Sequence, residues 1–375
     1  MDFTRSSYEF RRCVERYHGH HKVKSFSCWD QFLTLAFAQL TFRESLRDIE
    51  ACLRAAPQKL YHLGIRSTVS RNTLANQVRD WRIYADFAQT LIEQARTLYK
   101  GEPFGVELDH TVYALDATTI DLCLSLFPWA QFRRRKSAVK LHTLLDLRGS
   151  IPSVVIITGG QIHEVNILDQ LIWEAGAIYL MDRGYGFPPT LPHASVGSLL
   201  CDASQKTLRL SASVFAGCRQ TDRLAVRSDR RAQQSGSQAW LSRKAAPSAI
   251  LRWGKPKTLC ISHPQLSVAA LTIPQLYQCR WQVELFFRWI KQHLRIKAFY
   301  GTSQNAVRTQ AWTAIAVYVL VAIVKKRLNL ERSLHSILQI LSVSLFEKTP
   351  ILQALSQPVS EEMNNDAHNQ LILFN

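Results

Sequence analysis

The side chains best suited to chemistry lie in the stretch LYQCRWQVELFFRWIKQHL, residues 276–294. Tyr277, Arg280, Glu284 and Lys291 recur at helical spacing, and at about 100° per residue they fall within an arc of about 60°. Val283, Phe286, Phe287, Ile290 and Leu294 occupy the other side, so the stretch predicts an amphipathic helix anchored by its apolar face. One carboxylate bracketed by two cations and a phenol suits one metal ion and adjacent phosphates. Two further carboxylates follow β-prone runs. Asp116 comes after Val112, Tyr113, Ala114 and Leu115, and alternation puts it on the strand face of Val112 and Ala114. Asp182 comes directly after AIYLM, residues 177–181. Carboxylates at the ends of neighbouring strands are placed to share an ion. Each acid also has an ordinary explanation: Asp116 capping a turn, Asp182 paired with a neighbouring Arg, Glu284 paired with Arg280 one helical turn back.

The elements that must position these groups are legible as patterns. Residues 27–98 read as helical, with apolar positions at three-and-four spacing in CWDQFLTLAFAQL and LANQVRDWRIYADFAQTLI. Within them, Ser70 can cap a helix displaying Arg71, Asn72, Gln77, Arg79 and Arg82, side chains suited to phosphates and base edges. A DNA-reading helix and an ordinary helix with a solvated basic face account for this pattern equally well. His18, His20 and His21 lack a nearby carboxylate or Cys pair and read as a surface cluster rather than a metal site. From residue 105 the texture becomes β-prone, in TVYALDATTIDLCLSL, SAVKLHTLLDL and IPSVVIIT, followed by a helical NILDQLIWEA and the apolar AIYLMD. Three strands, a helix and a further strand predict a mixed α/β sheet behind an all-α N-terminal domain. The run Arg133, Arg134, Arg135 and Lys136 before a strand suits a DNA backbone, or a solvated loop.

The net charge of +17 over 375 residues implies a polyanionic partner, with nucleic acid the first candidate. Residues 187–267 hold twelve Lys or Arg against three Asp and no Glu, over half of that charge, and show neither strand nor helix period. Such a stretch struggles to offset its ordering entropy and reads as disordered. The loss of pattern after Tyr185 and its return near Ala270 are also what a compensated frameshift in the coding sequence would leave. Cys13, Cys28, Cys52, Cys123, Cys201, Cys218, Cys260 and Cys279 never form the close pairs of zinc sites and read as reduced buried thiols. No secretory signal is read in MDFTRSSYEFRRC, so a cytoplasmic protein is expected. The longest apolar run, residues 311–324, falls short of the roughly 20 residues a bilayer requires and reads as a core helix.

Tyr, Arg, Glu and Lys spaced as Y-x2-R-x3-E-x6-K resemble the signature of the insertion-sequence-four family of DDE transposases. LDATTI around Asp116, MDRGY around Asp182 and FRRRKSAVKLHTLLDLRGSIP resemble the same family, and the likeness spans about residues 27–183 and 270–328. It implies a ribonuclease-H-like core, a mixed five-stranded sheet with helices, in which Asp116, Asp182 and Glu284 bind two Mg2+ or Mn2+ ions. It implies that Arg280, Lys291 and Tyr277 contact DNA at the transposon end. The expected partners are double-stranded DNA, as terminal inverted repeats and target, and a second copy of the chain, with nucleoid association and no membrane. Family members carry a β-rich subdomain between the second Asp and the Glu, a texture that residues 187–267 lack. The domain division expected is a helical DNA-binding domain over 1–104, core over 105–186 and 270–330, an anomalous insertion over 187–269 and a helical tail over 331–375.

Overall fold

The computed structural model describes residues 3–182 apart from 22, 24, 67, 77–78 and 175, five short strands between 199 and 261, and residues 272–356 apart from 295, 297 and 346–350. The chain opens with helices α1 (Phe3–Arg16), α2 (Cys28–Leu40), α3 (Leu46–Ala55), α4 (Arg71–Asn76) and α5 (Trp81–Tyr99). Short polar residues set the starts of the last four. The Ser27 hydroxyl accepts from the Asp30 amide at 3.1 Å while the Asp30 carboxylate accepts from the Ser27 amide at 2.9 Å, a reciprocal cap. Ser45, Ser70 and Asp80 cap α3, α4 and α5. The helix expected from Ser70 onward is therefore divided. Arg71 and Asn72 lie exposed on α4, whereas Arg79 and Arg82 lie beyond its end. Arg79 donates to the Phe26 carbonyl at 3.1 Å, and Arg82 pairs with the capping Asp80. A fresh cap at Asp80 turns the chain, so these arginines do not form one basic face. Gln77 lies outside the described residues.

The sheet strands are β1 (Val112–Leu122), β2 (Gln131–Arg133), β3 (Lys136–Asp146), β4 (Ile151–Gly159), β5 (Ile178–Met181), β6 (Leu199–Asp202), β7 (Leu208–Ser211), β8 (Val226–Arg227), β9 (Ser248–Leu251) and β10 (Cys260–Ile261). β4, β3 and β1 pair antiparallel in that order, and β5 joins β1 in parallel with β6 parallel beyond it. The expected order, a meander followed by parallel strands, is present. Strands β6 to β10 fall in the span where the sequence shows no period. Pairing partners supplied from elsewhere in the sheet define them; the remainder of residues 183–271 lies outside the described residues. The segment expected to be helical before β5 forms only a 3-10 helix, Glu164–Gln170, because Leu168, Leu171 and Trp173 turn inward beneath the sheet.

Alternation divides the sheet's side chains cleanly. Tyr113, Leu115, Leu144, Tyr179 and Met181 face the 3-10 helix. Val112, Ala114, Leu141, Leu145, Ile178 and Leu180 face a larger core shared with α1, α2 and α5 and with helices α7 (Trp281–His293) and α8 (Gln304–Arg327). Before α7 runs α6 (Thr272–Cys279), and α9 (Leu334–Ser344) and α10 (Ile351–Ser356) follow α8. Helix α8 has the length and apolarity of a membrane span, yet 83% of its apolar window is buried inside the protein. It is the core helix the sequence predicted. The Tyr99 hydroxyl donates to the Ala322 carbonyl at 2.9 Å, and Tyr318 to the Ser150 carbonyl at 2.9 Å, so α8 is bonded to α5 and to the β3–β4 turn. Of the described cysteines Cys13 and Cys28 are buried, Cys52 and Cys279 half-buried and Cys123 exposed, all as free thiols. Exposure of Cys123, just after β1, departs from the expectation of buried thiols.

The β3–β4 turn also reaches the helix that carries Glu284, through Ser150 Oγ to Gln282 Oε1 at 3.2 Å. At its apex Gly149 adopts φ 75°, and a Cβ there would lie 2.2 Å from the Tyr99 ring. Both the left-handed backbone and the close ring require glycine. Gly149→Ala is expected to cost about 2–4 kcal/mol from strain and overpacking combined, measurable as a lowered thermal midpoint.

Candidate active site

Asp116 lies in the middle of β1, not at its end as the sequence run implied. What ends beside it is the pairing with β5: the last register pair is Leu115 with Met181, while residues 116–122 continue against β3 alone. Asp182, the next residue after β5, is thereby level with Asp116 and continues the face of Ile178 and Leu180. It is exposed. Both aspartates thus belong to the sheet face covered by α7.

Glu284 reaches that face from α7, anchored as its pattern predicts by buried Val283, Phe286, Phe287 and Ile290, with Leu294 buried at its C-cap. The single helix expected over 276–294 is interrupted at Arg280, whose backbone nevertheless stays in the helical region at φ −53°, ψ −31°. Arg280 joins two of the acids. Its Nη1 lies 3.1 Å from Asp116 Oδ2 and its Nη2 2.9 Å from Glu284 Oε1, with only 13% of its side chain exposed. Asp116 Oδ1 accepts from the Ala117 amide at 2.7 Å. Lys291, two turns along α7, donates to Thr118 Oγ1 at 2.5 Å and to the Thr119 carbonyl at 2.9 Å, tying the helix to β1. Tyr277 falls on α6; its side chain lies outside the described residues.

Burial is the main perturbation at the site, and neighbouring charge adds to it. Burial pushes the Asp116 carboxyl up to about 6, Glu284 and Asp182 push in the same direction, and the Ala117 amide and Arg280 oppose them. Among the described residues no three His, Cys, Asp or Glu side chains are gathered closely enough to hold an ion. The guanidinium of Arg280 stands between two of the three acids instead. Two groups unremarked in the sequence belong here. Thr118 receives Lys291, and Thr143 is the direct cross-strand partner of Asp116, hence on its face. The buried Thr143 hydroxyl has no hydrogen-bond partner among the described residues. Thr143 is revealed only by strand pairing, whereas period-two alternation through LDATTI could have found Thr118.

The other predicted residues lie apart from this cluster in kind. Arg133 ends β2, Arg134 and Arg135 form the turn and Lys136 begins β3, all four exposed on a hairpin. Arg133 stacks over Phe132 at 5.1 Å. His18, His20 and His21 form no metal-holding group among the described residues.

Comparison with known proteins identifies the family. Residues 107–320, more than half of the chain, match the Transposase DDE domain, and the chain belongs to that family. Residues 5–66 match a domain of unknown function, DUF4372. A provisionally assigned transposase, y4zB, of Sinorhizobium fredii (strain NBRC 101917 / NGR234) is 28% identical over 261 residues, 65% of this chain and 69% of that protein. A transposase ascribed to insertion sequence element IS5377 of Geobacillus stearothermophilus is 28% identical over 207 residues, 55% of this chain and 54% of that protein. A third, ascribed to element IS4SA of Synechocystis sp. (strain ATCC 27184 / PCC 6803 / Kazusa), is 20% identical over 313 residues, 76% of this chain and 80% of that protein. The chain is thus a transposase by family, with DNA as the substrate the family implies.

One buried group beside the site gives a pH test of the core. His142, on β3 opposite Ala117, bonds Thr158 Oγ1 at 2.9 Å. Burial, with Lys140 adding to it, pushes its ring down to about 4. A folded-state value below the unfolded one means stability is complete above about pH 6.5 and is lost as pH falls towards 4, because the unfolded chain takes up the proton first. Over that window the loss is about 3 kcal/mol. Melting curves of the parent and of His142→Gln between these pH values are expected to show a shallower decline for the variant.

Proposed function

We propose that the chain is a transposase of the insertion-sequence-four type, cutting DNA at transposon ends and joining them to target DNA from a ribonuclease-H-like core. The observation that carries this reading is the parallel register ending at Leu115 and Met181, the residues just before Asp116 and Asp182, together with the helix bearing Glu284. Strand order β4-β3-β1-β5-β6 with β5 and β6 parallel to β1 supports the core assignment. The spacing of Tyr277, Arg280, Glu284 and Lys291 supports the narrower family. In this reading a DNA-binding part spans 1–104, a core is split by an insertion over 187–269, and a tail spans 331–375.

The donor set fits divalent cations. Carboxylate oxygens are the hard ligands such ions prefer, Glu284 and Asp182 both disfavour a charged Asp116, and the buried hydroxyl of Thr143, the cross-strand neighbour of Asp116, has no hydrogen-bond partner among the described residues. Asp116, Asp182 and Glu284 would hold two Mg2+ or Mn2+ ions, which when bound supply Lewis acidity for in-line displacement at a phosphodiester. The chain's own residues do the rest. Arg280 and Lys291 hold phosphates near the cut, and Tyr277 lies along the same DNA. Arg133, Arg134, Arg135 and Lys136 grip the backbone from the exposed hairpin, and Arg71 and Asn72 read DNA from α4. Cutting and joining use one site because water and a DNA 3′-hydroxyl are alternative nucleophiles at the same phosphorus. Two ends must be held together, so the working unit is a homodimer on double-stranded DNA, in the cytoplasm at the nucleoid.

The test is cleavage of a plasmid carrying the element's ends with Mg2+ or Mn2+. Glu284→Gln keeps the shape and removes the charge, and is expected to lower cleavage at least about a hundredfold, more than loss of a residue that only supports a ligand. Joined product with a target plasmid separates a transposase from a nuclease. Binding of the ends by both proteins with cleavage by neither would instead mean a relic that occupies transposon ends.

A further inference from the structure

Arg280 sits where a cation is wanted. It bonds one oxygen of Asp116, on β1, and one of Glu284, on α7, through separate nitrogens at 3.1 and 2.9 Å. The other oxygen of Asp116 is held by the Ala117 amide. A planar fork with its donors fixed in direction can bridge two carboxylates in this way, and the same fork matches two oxygens of a phosphate. A divalent ion held by Asp116 and Glu284 would compete with the guanidinium for their carboxylates, and two positive groups at that distance repel.

We propose that Arg280 is a displaceable counter-ion that couples DNA binding to divalent-metal binding: without DNA its guanidinium neutralises Asp116 and Glu284 and opposes entry of an ion, and a DNA phosphate draws it away. This rests on the reading of Asp116, Asp182 and Glu284 as the metal site. The exchange balances charge throughout. The carboxylates pass from guanidinium to metal while the guanidinium passes from carboxylate to phosphate, so neither is left unpaired at low dielectric. Arg280 is placed for such a swing at the break between α6 and α7, on a long side chain whose backbone is already helical. Lys291 donates to Thr118 and to the Thr119 carbonyl, so it also ties the helix to β1. Linkage makes the effect reciprocal: DNA must tighten metal binding by the factor by which metal tightens DNA. The device also keeps an unoccupied transposase from holding a hydrolytic metal centre away from its DNA.

The experiment is a titration of the full-length chain with Mn2+, following free Mn2+ by electron paramagnetic resonance, with and without a duplex carrying the element's terminal repeat. Duplex alone supplies the background. The parent is expected to gain affinity on the duplex by about fivefold to a hundredfold, the ordinary range of site coupling. Arg280→Gln is expected to bind Mn2+ tightly without DNA and to gain little on the duplex, and Arg280→Lys, which keeps charge but loses the fork, to fall between. Circular dichroism confirms that each variant is folded, and the Lys variant carries the test if the Gln variant is not. Equal DNA-free affinities for parent, Gln and Lys variants, with weaker binding by Glu284→Gln, would overturn the counter-ion role alone. If Glu284→Gln leaves Mn2+ binding unchanged with and without duplex, the metal-site reading falls and the coupling with it.

Discussion

Asp116 is buried and is crowded by Glu284 from a helix and by Asp182 beside it, and the surrounding structure holds that crowding in place. Asp116 and Asp182 are brought level by the parallel pairing of β1 with β5, and Glu284 is lowered onto them by a helix whose far side is buried. Burial alone raises the cost of ionising Asp116, and its neighbours add to it. The Ala117 amide and the Arg280 fork offset part of that cost. In this structure the cation that two of the acids share is the Arg280 guanidinium.

The elements around the site serve to hold that crowding in register. Helix α8 is bonded to α5 through Tyr99 and to the β3–β4 turn through Tyr318, and the same turn is bonded through Ser150 to Gln282 on the Glu284 helix. On the opposite sheet face Tyr113 and Tyr179 are register partners whose rings stack at 5.2 Å, each three residues before one of the aspartates. The Tyr113 hydroxyl donates to Glu174 at 2.7 Å, and Glu174 also pairs with Arg96 of α5 at 3.0 Å. Displacement of either strand relative to the other would break this stack and separate the acids together, so the geometry of the site and the packing of the core are one constraint.

How much was legible in the sequence follows from the range of the interactions involved. Apolar and polar positions at three-and-four spacing on residues 276–294 fixed which face of α7 is buried, and alternation through residues 112–116 fixed which face Asp116 shares. Both are local periodicities. The break at Arg280 was not legible, and neither was its ion pair with a strand some 160 residues earlier, which no local pattern reports. Nor were Thr143 and the mid-strand position of Asp116, which depend on where β5 stops pairing. Arg79 and Arg82 looked like part of a basic face until a local cap and a long-range carbonyl claimed them. Strands β7 to β10 depend on pairing with one another, which no single-segment pattern reports.

Whether Asp116, Asp182 and Glu284 together hold divalent metal can be read by replacing Mg2+ with Fe2+ on the DNA-bound protein and adding ascorbate and peroxide, so that radicals formed at the bound iron cut the nearest backbone. Mapping the fragments by mass spectrometry is expected to place the cuts beside residues 116, 182 and 284, all suppressed by excess Mg2+. Cuts that cluster elsewhere, or cuts at these three positions that Mg2+ does not suppress, would contradict the account.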